Sequence, residues 1–164
     1  MKHLLLVRHA KSSWDDLSLK DSDRPLNDRG KNDAPMMAKR LLKRGITIDA
    51  FISSPAKRAR KTAELFAKEY KASKDQITFI DALYLAGPSA FSEVIAKTDD
   101  RYSSIAVFSH NEGITEFANS LTDTKTDNIP TCGVFAVSLK AKHWSDFPGA
   151  KKEFWFFDFP KNEK

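Results

Sequence analysis

The sequence has little of what supports cross-linking or membrane insertion. Its 164 residues include a single cysteine, Cys132, so no disulfide can form within the chain, and a reducing compartment is favoured. No apolar run approaches the roughly 20 residues of a membrane-spanning helix, and the N-terminal run is too short for a signal peptide. We therefore expect a cytoplasmic protein without membrane contact, with Cys132 in the core.

Glycine is also scarce, and the ligand motifs built on glycine or on clustered donors are missing. The six glycines form neither a Walker loop nor a dinucleotide-binding loop. The sequence has no Cys/His cluster and no His-Glu-x-x-His motif. We therefore expect neither a cofactor nor a bound metal.

Basic residues outnumber acidic ones by 27 to 22, which gives a formal net charge of +5. The lysines are interleaved with Asp and Glu and form no basic block, so we expect a solvated surface that attracts anionic substrates. A nucleic-acid interface, the alternative, would require lysines gathered on one face. The composition and length are those of one globular domain over residues 1–164, which we expect to be a monomer.

Apolar runs alternate with helical patterns, which predicts an α/β fold with a largely parallel sheet. Pro35 suggests that the first helix begins late or bends, and Ser54 is a candidate N-cap before Pro55. The predicted strands are Leu4–Val7, Ala50–Ser53, Ile77–Ile80, Ile105–Ser109, Gly133–Leu139 and Glu153–Phe159, and the predicted helices are Gly30–Lys43, Pro55–Tyr70, Ser89–Ala96 and Glu112–Leu121.

Three of the predicted strands run into arginine or histidine. Arg8 and His9 follow the first strand, Arg58 follows the second, and His110 follows the fourth. Because the carboxyl ends of parallel strands meet at one edge, these side chains are expected to lie together. The guanidinium fork suits a phosphate group, so the sequence predicts a phosphate site at this edge.

The chemistry of these four residues suggests a role for each. The neutral imidazole of His9 can attack phosphorus through one ring nitrogen while the other donates to a fixed acceptor. Arg8 and Arg58 would clamp the phosphoryl oxygens, and His110, expected at a helix N-terminus, would contact the same group. His3 and His143 lack such a context and are expected to be structural or at the surface.

Three motifs carry a resemblance to a known family. Arg8-His9-Ala10, Ser54–Ala59 and Ser109–Gly113 together resemble the motifs of the histidine phosphatase superfamily, in their order and spacing. Arg8–Trp14 and Asp23–Gly30 are similar to the SixA-type phosphohistidine phosphatases. The resemblance runs from Met1 to about Leu121. It implies a phosphoglycerate-mutase-like fold, a three-layer αβα sandwich around a mostly parallel sheet.

The resemblance also implies that Ser12 contacts the phosphate. Trp14 would wall the site, with a core position as the alternative. The sequence departs from the family in having Ala10 where glycine is usual, and in lacking an obvious acidic proton donor. Asp81, Asp15 and Glu112 are the candidates for that acid.

The missing acid favours a phosphoramidate (P–N) substrate, because a leaving imidazole needs less protonation than an alkoxide. Little chain between Arg58 and His110 remains for a lid, which favours an open site. We therefore expect a metal-independent phosphatase that forms a phosphohistidine on His9. Its substrate would be a phosphorylated protein, such as a histidine phosphotransfer domain, and its product inorganic phosphate. The alternatives are a phosphomonoesterase acting on a small phosphorylated metabolite and a noncatalytic phosphate-binding module.

Overall fold

The computed structural model describes residues Met1–Asn162, so the last two residues of the expected domain lie outside the described part. One six-stranded sheet is flanked by helices. The strands are β1 Lys2–Arg8, β2 Ala50–Ser53, β3 Ile77–Phe79, β4 Ser104–Ser109, β5 Val134–Leu139 and β6 Lys152–Asp158. The helices are α1 Asp28–Lys43, α2 Lys57–Glu69, α3 Pro88–Ala96 and α4 Gly113–Leu121, with short 3₁₀ turns at Asp21–Asp23, Lys74–Gln76, Asp81–Leu83 and Trp144–Gly149.

The strand order is β3-β2-β4-β1-β5-β6, and the first four strands are parallel. β5 and β6 are antiparallel to their neighbours. The register pairs Arg8 with Ser109 and Ser53 with Phe108, so β1, β2 and β4 end at the same level. The prediction of a mostly parallel α/β sheet is confirmed, and the carboxyl ends of three strands form a common edge.

Helices cover both faces of the sheet, which gives the three layers. Side chains alternate between the faces along β1. Leu5 belongs to the cluster that contains Met37 of α1 and Phe66 of α2. Leu6 belongs to the opposite cluster, with Phe91 of α3. Burial on both faces explains why the strands read as continuous apolar runs rather than alternating ones.

All four helices begin one or two residues away from the predicted position, α3 at Pro88 rather than Ser89. α1 begins at Asp28, because the Asn27 side chain accepts from the Gly30 N–H at 2.9 Å; the late start expected from Pro35 was wrong. α2 begins at Lys57 rather than Pro55, and Ser54 is not its N-cap. α4 begins at Gly113 rather than Glu112, and His110 lies just before the helix, as predicted.

Two glycines allow close backbone approaches near the end of β1 and the start of α4. A Cβ on Gly30 would lie 2.2 Å from the Lys11 carbonyl oxygen, and one on Gly113 would lie 1.7 Å from that of Ala86. Any other residue would therefore push apart the loops beside the common edge. Cys132 is fully buried, as expected, and burial raises the pKa of its thiol. Within residues 1–162, none of the helices combines the length and the apolar character needed to cross a membrane.

Candidate active site

The predicted phosphate site is a cleft of about 180 Å³ at the common edge of β1, β2 and β4. The structure brings together all four residues that the strand ends singled out, and also Ser12 and Trp14. No Asp or Glu occurs among the described residues that line it. The lining residues are Arg8, His9, Lys11, Ser12, Trp14, Arg24, Arg58, His110, Asn111 and Thr131.

The backbone of His9 is fixed on both sides, because its N–H donates to Ser109 O and its carbonyl accepts from Cys132 N, each at 3.0 Å. Its Nδ1 lies 2.7 Å from Ala10 O. A carbonyl only accepts, so Nδ1 carries the proton and Nε2 is left with a free lone pair. The pKa of His9 is lowered to about 4, chiefly by burial and in part by the charges of Arg58 and Arg8, although the hydrogen bond to Ala10 raises it. His9 is therefore a neutral imidazole with one unprotonated nitrogen.

His110 has the same tautomer as His9, with its hydrogen on Nδ1. Its Nε2 lies 2.8 Å from Ser54 Oγ, which already accepts from Ala56 N at 3.2 Å. The Ser54 hydroxyl proton is then free to point to Nε2, which leaves the hydrogen on Nδ1. Within the described chain this Nδ1 is buried and has no hydrogen-bond partner. Burial lowers the pKa of His110 to about 3, with the charges of Arg58 and Arg8 acting in the same direction. An anion in the cleft would supply the missing acceptor.

The two arginines differ in how firmly they are engaged. Arg8 donates through Nη1 to Ile129 O at 2.9 Å, and its Nε is buried with no partner among the described residues. Arg58, 4% exposed, donates through Nη1 to Asp21 O at 2.6 Å and through Nη2 to Asp21 Oδ2 at 2.9 Å. Both guanidinium groups are thus held in place by the protein before any ligand arrives.

Asp21 is an acidic residue that the sequence analysis missed. Its Oδ2 also accepts from the Tyr84 hydroxyl at 2.6 Å, and its Oδ1 lies 3.4 Å from Arg24 Nη1. The hydrogen bond from Tyr84, followed by the interactions with Arg58, lowers the pKa of Asp21 to about 2. Asp21 is therefore ionised at neutral pH and supplies no proton. It fixes Arg58 instead.

The three acids proposed from the sequence do not line the cleft. Asp81, Asp15 and Glu112 are exposed, and Asp15 lies on a different hollow, beside Leu19 and Asp28. The expectation that one of them serves the site has no support in the geometry. Asp81 lies in the 3₁₀ turn after β3, and Glu112 lies directly before α4.

Ser12 and Trp14 are joined through Arg24, which the sequence analysis also missed. Arg24 is buried and donates from Nη2 to Ser12 Oγ at 2.7 Å, and its guanidinium carbon lies 3.2 Å from the centre of the Trp14 ring. Trp14 is 64% exposed, so the alternative of a core position was wrong. Arg24 belongs to the block Asp23–Gly30, but it follows no strand, so the argument from strand ends could not find it.

Comparisons with known proteins show the family. The sequence profile of the histidine phosphatase superfamily (branch 1) matches residues 4–83. An uncharacterised chloroplast protein of Arabidopsis thaliana is 32% identical in an alignment of 154 positions that covers 88% of this chain and 70% of that protein. The chain belongs to the histidine phosphatase superfamily.

Solved structures show the same fold. The protein histidine phosphatase SixA complexed with tungstate has a TM-score of 0.83 at 21% identity, and the match covers 99% of both chains. Mycobacterial glucosyl-3-phosphoglycerate phosphatase complexed with VO3 has a TM-score of 0.71 at 12% identity, covering 95% of this chain and 98% of that one. The phosphoglycerate-mutase-like fold expected from the resemblance is confirmed.

Proposed function

We propose that this protein is a metal-independent phosphatase that removes the phosphoryl group from phosphohistidine in another protein. The reaction would pass through a phosphohistidine on His9. The observation that carries the proposal is the unprotonated Nε2 of His9, a residue that lines one cleft together with Arg8, Arg58 and His110. A nucleophile surrounded by cations and hydrogen-bond donors is suited to attack a phosphoryl dianion.

In the first step, His9 Nε2 forms a bond to phosphorus as the bond from phosphorus to the substrate nitrogen breaks. The other ring nitrogen of the substrate takes a proton from solvent first, so the electron pair of that bond leaves with a neutral imidazole. Arg8, Arg58 and His110 hold the three phosphoryl oxygens while the charge redistributes. The Nδ1–H of His9 stays on Ala10 O and keeps the ring aligned.

In the second step, water attacks the phosphorus of the phosphorylated His9. The bond between phosphorus and Nε2 breaks, the electron pair returns to Nε2, and the water proton passes to solvent. Inorganic phosphate leaves, and the original tautomer of His9 is restored. Neither step calls on a group beyond the residues of the cleft and solvent, which is the basis for proposing metal independence.

The choice of a P–N bond rests on the absence of an available acid. An alcohol leaving group requires a positioned proton donor, which contributes about 10²–10⁴-fold to the rate. The lining residues in the described part of the chain include no carboxyl group, and Asp21 beside them is ionised. Imidazole, with a conjugate-acid pKa of roughly 6.5, leaves without that help.

The proposal of a protein substrate rests on the shape of the cleft. It accommodates a phosphoryl group, but a typical small-molecule pocket of about 300–1,000 Å³ encloses most of its ligand. A phosphorylated side chain on a protein surface, such as a histidine phosphotransfer domain, needs only the phosphoryl group to enter. A small-molecule phosphomonoesterase is the second candidate, favoured by the fold shared with glucosyl-3-phosphoglycerate phosphatase.

The test compares turnover of a histidine-phosphorylated protein with turnover of p-nitrophenyl phosphate, for the wild type and His9→Ala. We expect the wild type to prefer the P–N substrate strongly. His9→Ala should lower the turnover of that substrate by at least about 10³-fold. His143→Ala, a histidine at the opposite end of the sheet, is the matched control. Activity should also survive a chelator.

Three results would contradict parts of the proposal. Equal or better turnover of the ester would favour the phosphomonoesterase. Surviving activity in His9→Ala would remove His9 as the nucleophile. Loss of activity with a chelator and its recovery with added metal would overturn metal independence.

A further inference from the structure

We propose that Trp14, held by Arg24, is a stacking subsite for the leaving imidazole ring of the substrate, so that ringed leaving groups are preferred over ringless ones. This inference rests on the proposed function and deepens it, because it names a residue that recognises the part of phosphohistidine outside the phosphoryl group. The sequence resemblance suggested only that Trp14 walls the site.

The exposure of Trp14 is the first observation. A tryptophan that leaves 64% of its surface in water is an exception among large apolar side chains, most of which are buried. This one lines the same cleft as His9, Arg58 and His110. An exposed indole at the mouth of a phosphate cleft has no structural partner on its open side, so a bound ligand is its natural contact.

The second observation is that the indole is held in place before a ligand binds. The guanidinium of Arg24 lies 3.2 Å from the ring centre, so one face of the ring is covered by a cation. Arg24 is itself fixed by hydrogen bonds to Ser13 O at 3.1 Å and Ser12 Oγ at 2.7 Å. The backbone N–H of Ser13 donates to Pro25 O at 2.8 Å. Arg24 therefore covers one face of the Trp14 ring, and the other face is free to stack on a ligand.

The size of the cleft determines which part of the substrate reaches Trp14. A volume of about 180 Å³ holds the phosphoryl group and at most a small group bonded directly to it. In phosphohistidine the ring is bonded directly to phosphorus, so it lies beside the residues that line the cleft, of which Trp14 is an exposed aromatic one. A phosphoryl group on an aliphatic side chain or on ammonia would place no ring there.

The experiment compares two substrates that both contain a P–N bond. The leaving group of phosphoimidazole contains a ring, and the leaving group of phosphoramidate does not. We expect Trp14→Ala to lower kcat/KM for phosphoimidazole by about two- to tenfold, the range of one aromatic stacking contact. The loss for phosphoramidate should be smaller, and Trp14→Phe should restore most of the loss for phosphoimidazole. Leu17→Ala, an exposed apolar residue of the same loop, is the control and should match the wild type.

Two results would overturn the subsite. A loss of equal size for both substrates would mean that Trp14 only orders Ser12 and Arg24. No loss for either would mean that the ring makes no contact. If the wild type hydrolyses neither P–N compound and no histidine-phosphorylated protein, the proposed function fails separately. Phenyl phosphate and phosphoserine then provide the same ring comparison: a Trp14-dependent preference for phenyl phosphate supports the subsite, and its absence overturns it.

Discussion

The two ends of the parallel strands carry similar polar residues but use them differently. At the amino end, Lys2 Nζ donates to Asp100 O and Tyr102 O, each at 3.1 Å. Asp49 Oδ2 accepts from the backbone N–H groups of Ser103 and Ser104, each at 3.0 Å. These charges are neutralised or hydrogen-bonded within the protein, so they hold loops together and leave nothing for a ligand.

At the carboxyl end the pairing is incomplete. Arg8 Nε and His110 Nδ1 are buried and have no hydrogen-bond partner within residues 1–162, and Asp21 pairs with Arg58 and Arg24 but not with Arg8. The one other such atom in the described chain, His3 Nδ1, belongs to a ring packed on Trp155 with centroids 4.5 Å apart. Unmatched donors and excess positive charge, rather than the presence of histidine, distinguish a site from a structural network.

The largest loss of activity should follow the removal of an arginine from the carboxyl end of the strands. Arg8→Ala and Arg58→Ala should each lower kcat/KM by about 10²–10³-fold, because each removes a fixed donor to the phosphoryl oxygens. Lys57→Ala, an exposed cation beside Arg58, is the matched control and should be close to the wild type. Wild-type kinetics in either arginine variant would remove that residue from the clamp.

A second prediction uses the pH dependence of stability. The pKa of His9 is lowered by burial to about 4, below its value in an unfolded chain. Between pH 6.5 and 4, His9 is therefore protonated in the unfolded state but neutral in the folded state. The free energy of unfolding consequently decreases as the pH falls through this interval.

From about pH 7 to about pH 5 this loss should amount to about 1–2 kcal/mol for His9. His9→Asn cannot take up that proton, so its free energy of unfolding should fall less over the same interval. Denaturant titrations of both proteins at the two pH values measure the difference. The same decline in both would show that His9 does not resist protonation in the folded state.

The sequence indicated the common edge well, since strand ends are marked by abrupt changes from apolar to charged residues. Arg8, His9, Arg58 and His110 were found in that way. Asp21 and Arg24 could not be found, because they lie in a polar loop without periodicity. The ion pair of Asp21 with Arg58 joins residues 37 positions apart. Which loop residue reaches a site depends on the path of the loop, and local pattern does not encode it.

The role of Ser54 was misjudged for a related reason. Its type and its place before Pro55 favoured a helix cap, yet its hydroxyl lies 2.8 Å from His110 Nε2 and the helix begins at Lys57. A local preference was overridden by a partner 56 residues away.

That partner makes Ser54 the basis of a third, smaller prediction. Ser54→Ala should lower kcat/KM by about tenfold, because loss of one hydrogen bond frees the tautomer of His110. Ser53→Ala is the matched control: it is equally buried, but its hydroxyl bonds the Ser54 carbonyl and not a histidine. If both variants lose the same activity, the effect comes from packing rather than from the tautomer.

The smallest effect on turnover should come from the amino end. Asp49→Ala removes the acceptor of two backbone N–H groups and should lower the free energy of unfolding by about 1–3 kcal/mol. Its kcat/KM should match the wild type at a temperature where both are folded, because the carboxylate lies at the opposite end of the strands from His9. Asp49→Asn keeps a carbonyl acceptor and should lose less stability. A change in kcat/KM without a change in stability would mean that the two ends of the sheet are coupled, and that the division into a structural end and a chemical end is too simple.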